Sequence, residues 1–422
     1  MKYAADLFLF NAHIAQFLKN IFMIRKVTAD YIFPIVQAAI PKGVVVFDEA
    51  TGKILEVGER ANYNESELEF HKGAIVPGFV NAHCHLELSH MLGRVATGTG
   101  LISFIKQVVQ GRGLSQEVID AAIAAADEYM YNNGIVAVGD ISNVSDTFKT
   151  KAQSKLRYYT FLENFDFWQE ANTDAEFNKY LSVFNQLETP AHHAKSLVPH
   201  APYSVSPRMF ELINAENKAQ FPNREHTISI HNQETPPENQ LFEDKTKSEF
   251  VPFVNAFGFH YDALKSDGRT AIHYALENMP KGERWLFVHN TLTTTEDIKA
   301  AHAANPNKVY WASCPNANLY IENRLPKYDN FIAENAVVCL GTDSLTSNWQ
   351  LSILEEMKTI ARYQSTVPTE TLLRWATLNG AQALGFDDTL GSIEAGKTCG
   401  LNLINLDESL KFKPSTTVKR LV

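Results

Sequence analysis

Cysteine is scarce in this sequence, basic runs are absent, and no apolar run is long enough for a membrane span. The four cysteines, Cys84, Cys314, Cys339 and Cys399, show no C-x-x-C spacing, and three lie in apolar, strand-like runs. That usage suits buried thiols in a reducing cytoplasm. Without a basic run, and with a formal net charge of −10, the chain offers no surface for nucleic acid or an anionic membrane. Residues 1–22 are apolar, but Asp6, Asn11, His13, Gln16 and Lys19 interrupt them. No span therefore reaches the roughly 20 residues that cross a bilayer, and no small-residue cleavage site follows. This piece is expected to be an amphipathic extension of unknown role, or an over-long start before Met23. There is no internal repeat, no low-complexity tract and no glycine-rich phosphate fingerprint.

What is present is material for one large fold. At 422 residues and 45% hydrophobic, the chain can bury a sizeable core. Between about Ala74 and Leu384 strand-like and helix-like segments alternate. The stretch Gly73-Ala-Ile-Val-Pro-Gly-Phe-Val-Asn-Ala-His-Cys-His85 is the first strand candidate. It is followed by Ile135–Asp140, Leu156–Leu162, Ser196–His200, Thr227–His231, Trp285–His289, Val309–Ser313 and Ala336–Asp343. Helical spacing marks Gln116–Asn132, closed by Gly134, and Glu370–Leu384, closed by Gly385. Thr293-Thr-Thr-Glu296 reads as a capping box. Eight strands alternating with helices predict an α/β protein, a (β/α)8 TIM-like barrel over 74–385. The short β-rich runs at both ends, including a hairpin around Thr51-Gly52, predict a small composite β-sandwich domain from 23–73 and 386–422. The longest connection, Asn232–Arg284, is the least regular; its aromatics Phe250, Phe253, Phe257 and Tyr261 favour a lid over a solvated excursion.

In a barrel the active site lies at the C-terminal ends of the strands. Here those ends carry His83 and His85, Asp140, Glu163, His200, His231, His289, Cys314 and Asp343. His83 and His85 are two apart on an extended strand and so face one side. With His231 and Asp343 they offer three imidazoles and one carboxylate to a single divalent metal, leaving room for water. Such a site lowers the pKa of the water toward neutrality, and Asp343 can both contact the ion and accept the water's proton. Asp140 reads as structural, capping a loop or holding a ligand histidine from behind.

Several runs carry a resemblance: Pro77-Gly-Phe-Val-Asn-Ala-His-Cys-His85, Pro199-His-Ala-Pro-Tyr-Ser204, His231-Asn-Gln-Glu-Thr235, Val288-His289, Cys314-Pro-Asn-Ala-Asn318, Gly341-Thr-Asp-Ser344 and Ala376–Gly385. Together they resemble the amidohydrolase superfamily. Within it they are similar to the branch that acts on ring-bound amino or chloro groups, such as the S-adenosylhomocysteine, guanine and aminodeoxyfutalosine deaminases. The resemblance implies a metal-dependent hydrolytic deaminase of a purine, nucleoside, pterin or futalosine-like ring, releasing ammonia. It implies that His83, His85, His231 and Asp343 bind one ion, zinc first and iron or manganese as alternatives. It also implies that Glu234 shuttles a proton to a ring nitrogen, that His289 orients the attacking water or polarises the reacting centre, and that His200 contacts substrate.

Glu87, Glu163, Asn318 and Arg324 complete the candidate substrate contacts. Glu87 either shapes the pocket or merely starts a helix; Glu163 either meets substrate or lies on a solvated loop. A bridging group for a second ion is missing, because His200 stands at the end of the fourth strand and Lys195 at its other end. A small-molecule substrate, a cytoplasmic location and a homodimer are the remaining expectations. Two other functions share these residues: hydrolysis of a cyclic or linear amide, and metal or ligand binding without catalysis.

Overall fold

The computed structural model describes residues 24–190 and 192–422; the expected N-terminal extension, 1–22, lies outside the described residues. In chain order the strands are β1 Ile24–Ile32, β2 Ile40–Pro41, β3 Gly43–Asp48, β4 Ile54–Glu59, β5 Glu69–Pro77, β6 Phe79–Cys84, β7 Ile135–Ser142, β8 Arg157–Asn164, β9 Ala194–Pro199, β10 Thr227–Asn232, β11 Arg284–His289, β12 Val309–Ser313, β13 Val337–Leu340, β14 Leu401–Ile404 and β15 Val418–Arg420.

Both chain ends contribute to one sheet of order β15-β14-β5-β1-β3-β4, with β2 pairing β1. The strands expected to face each other as a sandwich are thus hydrogen-bonded edge to edge. The hairpin β3–β4 forms as the turn residues predict, with Asp48 accepting the Ala50 N–H at 2.9 Å and Gly52 at a φ of 69°.

The remaining strands form two parallel sheets, β6-β7-β8-β9 and β10-β11-β12-β13. These strands are covered on both faces, as parallel strands flanked by helices must be; all six residues of β6 and of β10 are buried. The two sheets meet at the C-terminal ends of their edge strands. His231 N–H donates to the His200 carbonyl at 2.9 Å, and Thr342 and Asp343 N–H donate to the His83 carbonyl at 3.0 and 3.1 Å. Asn81 and Thr342 exchange two further bonds, at 2.8 and 3.0 Å. Histidines and aspartate far apart in sequence are thereby brought to one place.

Local differences from the sequence reading have physical causes. The helix predicted over 370–384 is two, Thr369–Trp375 and Leu378–Ala383. Thr377 breaks it, turning its hydroxyl onto the Leu373 carbonyl at 2.7 Å. The capping box lies one residue on, at Thr294 with Asp297, where Asp297 is also held by the Thr270 hydroxyl at 2.6 Å. The connection expected to be irregular carries three helices, Pro236–Asp244, Phe250–Asn255 and Ala271–Asn278. Strand β13 stops at Leu340, short of the expected Asp343, which adopts a left-handed φ of 57°.

All four cysteines are buried and free. Among the described residues no helix is long and apolar enough to cross a membrane. Packing against β7 is tight. A Cβ added at Gly139 would lie 2.5 Å from the Ala82 carbonyl oxygen and 2.9 Å from Leu384 and Phe161. The oxygen belongs to backbone and cannot yield cheaply, so Gly139→Ala is expected to cost about 1–3 kcal/mol of stability, read from the denaturation midpoint.

Candidate active site

Three imidazoles converge where the sheets meet. His85 Nε2 lies 3.1 Å from His83 Nε2 and 3.3 Å from His231 Nε2. Asp343 Oδ1 lies 3.4 Å from His85 Nε2 and 3.6 Å from His83 Nε2. His231 Nδ1 donates to the His200 carbonyl at 2.9 Å, so its Nε2 carries a lone pair. Burial lowers the pKa of all three rings, that of His85 to about 4, which keeps them neutral. Three buried nitrogens at this spacing gain little from one another. Their separation is close to the edge of a tetrahedron, about 3.3 Å for ligands at roughly 2.0–2.1 Å from zinc. The donor set therefore fits a divalent metal ion.

Asp343 is the anionic member. Burial works to raise its carboxyl, but the His83 ring and the neighbouring His85 and His289 imidazoles outweigh burial and hold it below the usual carboxylate range. Its Oδ2 accepts the Ser347 hydroxyl at 2.5 Å. The loop that carries it is anchored by buried Glu356, whose Oε1 accepts the Asn348 amide at 2.8 Å while the same amide reaches the Thr342 carbonyl at 2.8 Å. A further trio, Glu163, His200 and His231, also lies within ligand distance. The His231 nitrogen facing Glu163, at 3.4 Å, is Nδ1. It already holds the proton given to His200, so this trio does not offer a second complete set.

Beside the cluster stand Glu234 and His289, both buried, with His289 Nε2 3.7 Å from Glu234 Oε2. The turn bearing Glu234 is held by Glu238, which accepts the N–H groups of Gln233 and Glu234 at 2.9 Å each. Burial, with the charges of Asp343 and Glu322, pushes the Glu234 carboxyl well above its usual value. Asn318 presents its Oδ1 to His289 Nδ1 at 2.9 Å, and its NH2 reaches the His289 carbonyl at 3.5 Å. The proton of His289 therefore sits on Nδ1, and Nε2 is an acceptor. Gln233, His289 and Asp343 all have positive φ, at 47°, 71° and 57°. Such backbone is costly in non-glycine residues and is concentrated here at three strand ends.

These groups open into one cavity of about 410 Å³. Glu163 and His200, two of the candidate substrate contacts, line it. Glu163 receives the Asn143 amide at 3.1 Å, and burial, opposed by that bond, raises its pKa to about 8. His200 shares a 2.6 Å hydrogen bond with Ser204.

The other candidate contacts do not reach the cavity. Glu87 is buried and accepts the N–H of Asn143 at 2.9 Å, so it ties the end of β6 to the end of β7. Asn318 spends its amide on His289. Arg324 is exposed beyond the helix Pro315–Glu322, which ends at Asn323 in left-handed conformation. Asp140 is structural, as read: its Oδ1 accepts the Leu86 N–H at 2.7 Å.

Much of the cavity wall went unnoticed in the sequence. The helix Leu101–Gly111 contributes Leu101, Phe104, Ile105 and Val108, whose i, i+3, i+4, i+7 spacing was a readable signal. The long connection contributes Phe250, Phe253 and Phe257, three of the aromatics expected to favour a lid, together with Phe259, and Lys106 lies over the Phe253 ring at 5.6 Å. Arg112 is the lone lysine or arginine of the lining.

The amidohydrolase family model matches residues 74–421. The chain is 25% identical over 387 residues to the 5'-deoxyadenosine deaminase of Methanocaldococcus jannaschii, covering 88% of this chain and 84% of that one. Among solved structures it resembles Helicobacter pylori aminofutalosine deaminase in complex with methylthio-coformycin, with a TM-score of 0.75 and 23% identity, covering 94% of this chain and 100% of the other. An adenosine deaminase from Xanthomonas campestris with bound zinc gives a TM-score of 0.69 and 21% identity, over 91% and 85% of the two chains.

Proposed function

Because this chain belongs to the amidohydrolase family, we propose that it is a metal-dependent hydrolase that removes an exocyclic amino group from a heteroaromatic ring and releases ammonia. The observation that carries this reading is the convergence of three imidazole nitrogens and Asp343 beside the buried carboxyl of Glu234. The deaminases among its relatives support the reaction class. We read residues 74–385 as a (β/α)8 barrel, supported by two four-stranded parallel sheets bonded at their edges. Residues 23–73 and 386–422 are the accessory unit, supported by the sheet they share. Buried free thiols support a cytoplasmic location.

His83, His85 and His231 through Nε2, with Asp343, would hold one divalent ion, zinc in the first instance, and that ion would lower the pKa of a water enough to make it a nucleophile at neutral pH. Asp343, ionised, takes the water's proton. His289, with Nε2 as acceptor, orients the water toward the ring carbon. Glu234 gives its proton to the adjacent ring nitrogen, so that the amino-bearing carbon accepts the new C–O bond. The C–N bond then breaks as the hydroxyl becomes a carbonyl: the amino group leaves as ammonia with the proton Asp343 had taken, and the hydroxyl proton returns to Glu234. Glu163 and His200 contact the rest of the substrate.

The cavity walls narrow the substrate. Apart from the acids and imidazoles at its floor and the single Arg112, Asn143 and Ser344, the lining is aliphatic and aromatic, with no cluster of cations to receive a phosphate. The ring is therefore read as bearing an apolar substituent. Ammonia release from metal-loaded enzyme over a panel of purines, pterins, adenosine, 5'-alkylthio and 5'-phosphorylated adenosines and futalosine-type compounds tests this. The apolar members should exceed the phosphorylated one in kcat/KM by about tenfold or more, the value of burying a few methylene groups. No release from any member with metal bound would overturn the assignment.

A further inference from the structure

The chemistry above leaves unused one buried charge close to the ligands. Lys151, in the helix Phe148–Gln153, is 2% exposed. Its ammonium forms an ion pair with Asp140 Oδ2 at 2.6 Å and donates to Ser142 Oγ at 3.0 Å and Thr160 Oγ1 at 3.1 Å. Asp140 lies wholly buried in β7, and its other oxygen takes the Leu86 N–H. Leu86 directly follows the ligand His85, at the point where the chain leaves β6 for a short 3-10 turn. One residue further on, Glu87 accepts the N–H groups of Asn143 and Val144, at 2.9 and 3.4 Å, beyond the end of β7. Side chain to backbone bonds thus run both ways between the two strand ends.

A fully buried ion pair is a weak device for stability alone, because desolvating both charges offsets their attraction, and an apolar pair of similar volume commonly serves as well. What an apolar pair cannot do is hold a peptide N–H in a set direction. We propose that Asp140 and Lys151 are a positioning pair for the metal site. Lys151 fixes the carboxylate of Asp140, Asp140 fixes the peptide between His85 and Leu86, and that peptide sets the direction from which His85 presents Nε2 to the other ligands. The inference rests on the reading of His83, His85, His231 and Asp343 as metal ligands. Neither Asp140 nor Lys151 touches the ion or the substrate; both act through His85.

Zinc affinity measured by competition with a chromophoric chelator, alongside the thermal midpoint of the metal-free protein, tests the pair. Failure of the wild type to bind zinc would remove the metal reading itself and is seen before any variant is made. In Asp140→Leu/Lys151→Met the midpoint should stay near that of wild type, whereas zinc affinity should fall roughly 10–100-fold. In Asp140→Asn/Lys151→Met, whose amide oxygen can still take the Leu86 N–H, affinity should return toward wild type. A folded Leu/Met variant with unchanged zinc affinity would overturn the proposal, as would an Asn/Met variant that binds as weakly as the Leu/Met one. Should the Leu/Met protein fail to fold, Asp140→Ala/Lys151→Met leaves the same N–H unpartnered without crowding, and the same two outcomes decide.

Discussion

His83→Ala is expected to lose its divalent ion on dialysis and to release ammonia at least about a thousandfold more slowly than the wild type, since free water has a pKa near 15.7 and water on a suitable ion one near 7. At neutral pH the variant would have almost no nucleophile to orient. The substitution removes one of three neutral imidazoles whose Nε2 atoms lie 3.1 and 3.3 Å apart in sequence around the cluster. The two that remain, with Asp343, cannot close a tetrahedral set without another ligand. His83 is a cleaner probe than Asp343, because Asp343 is also the proposed acceptor of the water's proton and its loss would merge two effects. Elemental analysis beside the ammonia assay checks the expectation. Stoichiometric zinc with undiminished turnover in His83→Ala would exclude His83 from the ligand set.

Glu234→Gln should keep its metal and lower kcat by roughly 10²–10⁴-fold, the usual contribution of a positioned proton donor. Glutamine preserves the shape of the side chain and the bonds from Glu238 to the backbone of this turn, but it has no proton to transfer. The direction of the pH dependence follows from the same burial. Burial raises the carboxyl well above its usual value. As pH rises through that raised pKa the donor is lost, so wild-type kcat should decline on the alkaline side. Hydrolysis of an amide needs no protonated ring. A Gln variant with intact turnover would therefore favour the amide reaction over deamination, whereas a slow variant with full metal content supports ring protonation.

Several residues reveal where sequence reasoning stops. His83 and His85 were legible as a pair because alternation along a strand is local and exact in period. His231, His289 and Asp343 were legible because each ends an apolar run, and parallel strands expose their C-terminal ends on one side. Asp140 ends its run equally well, but reads as structural, and it turns its carboxylate onto the Leu86 N–H and Lys151. Asn318 was named as a substrate contact and instead sets the proton of His289. Lys151 drew no notice, since one lysine in a short helix looks like any surface lysine until its environment is known.

The sequence by itself determined the alternation of strands and helices, the order in which the candidate ligands arrive, and the kinds of donor available, because these depend on spacing along the chain and on side-chain chemistry. Only the tertiary structure decided which strand-end groups share a cavity, which nitrogen of each imidazole is free, and that the walls are apolar. Those properties depend on which edges of two separate sheets meet. They also depend on a helix at 101–111 and a connection at 250–259 lining the same cavity. Contacts between residues more than a hundred positions apart leave no periodic trace in either segment.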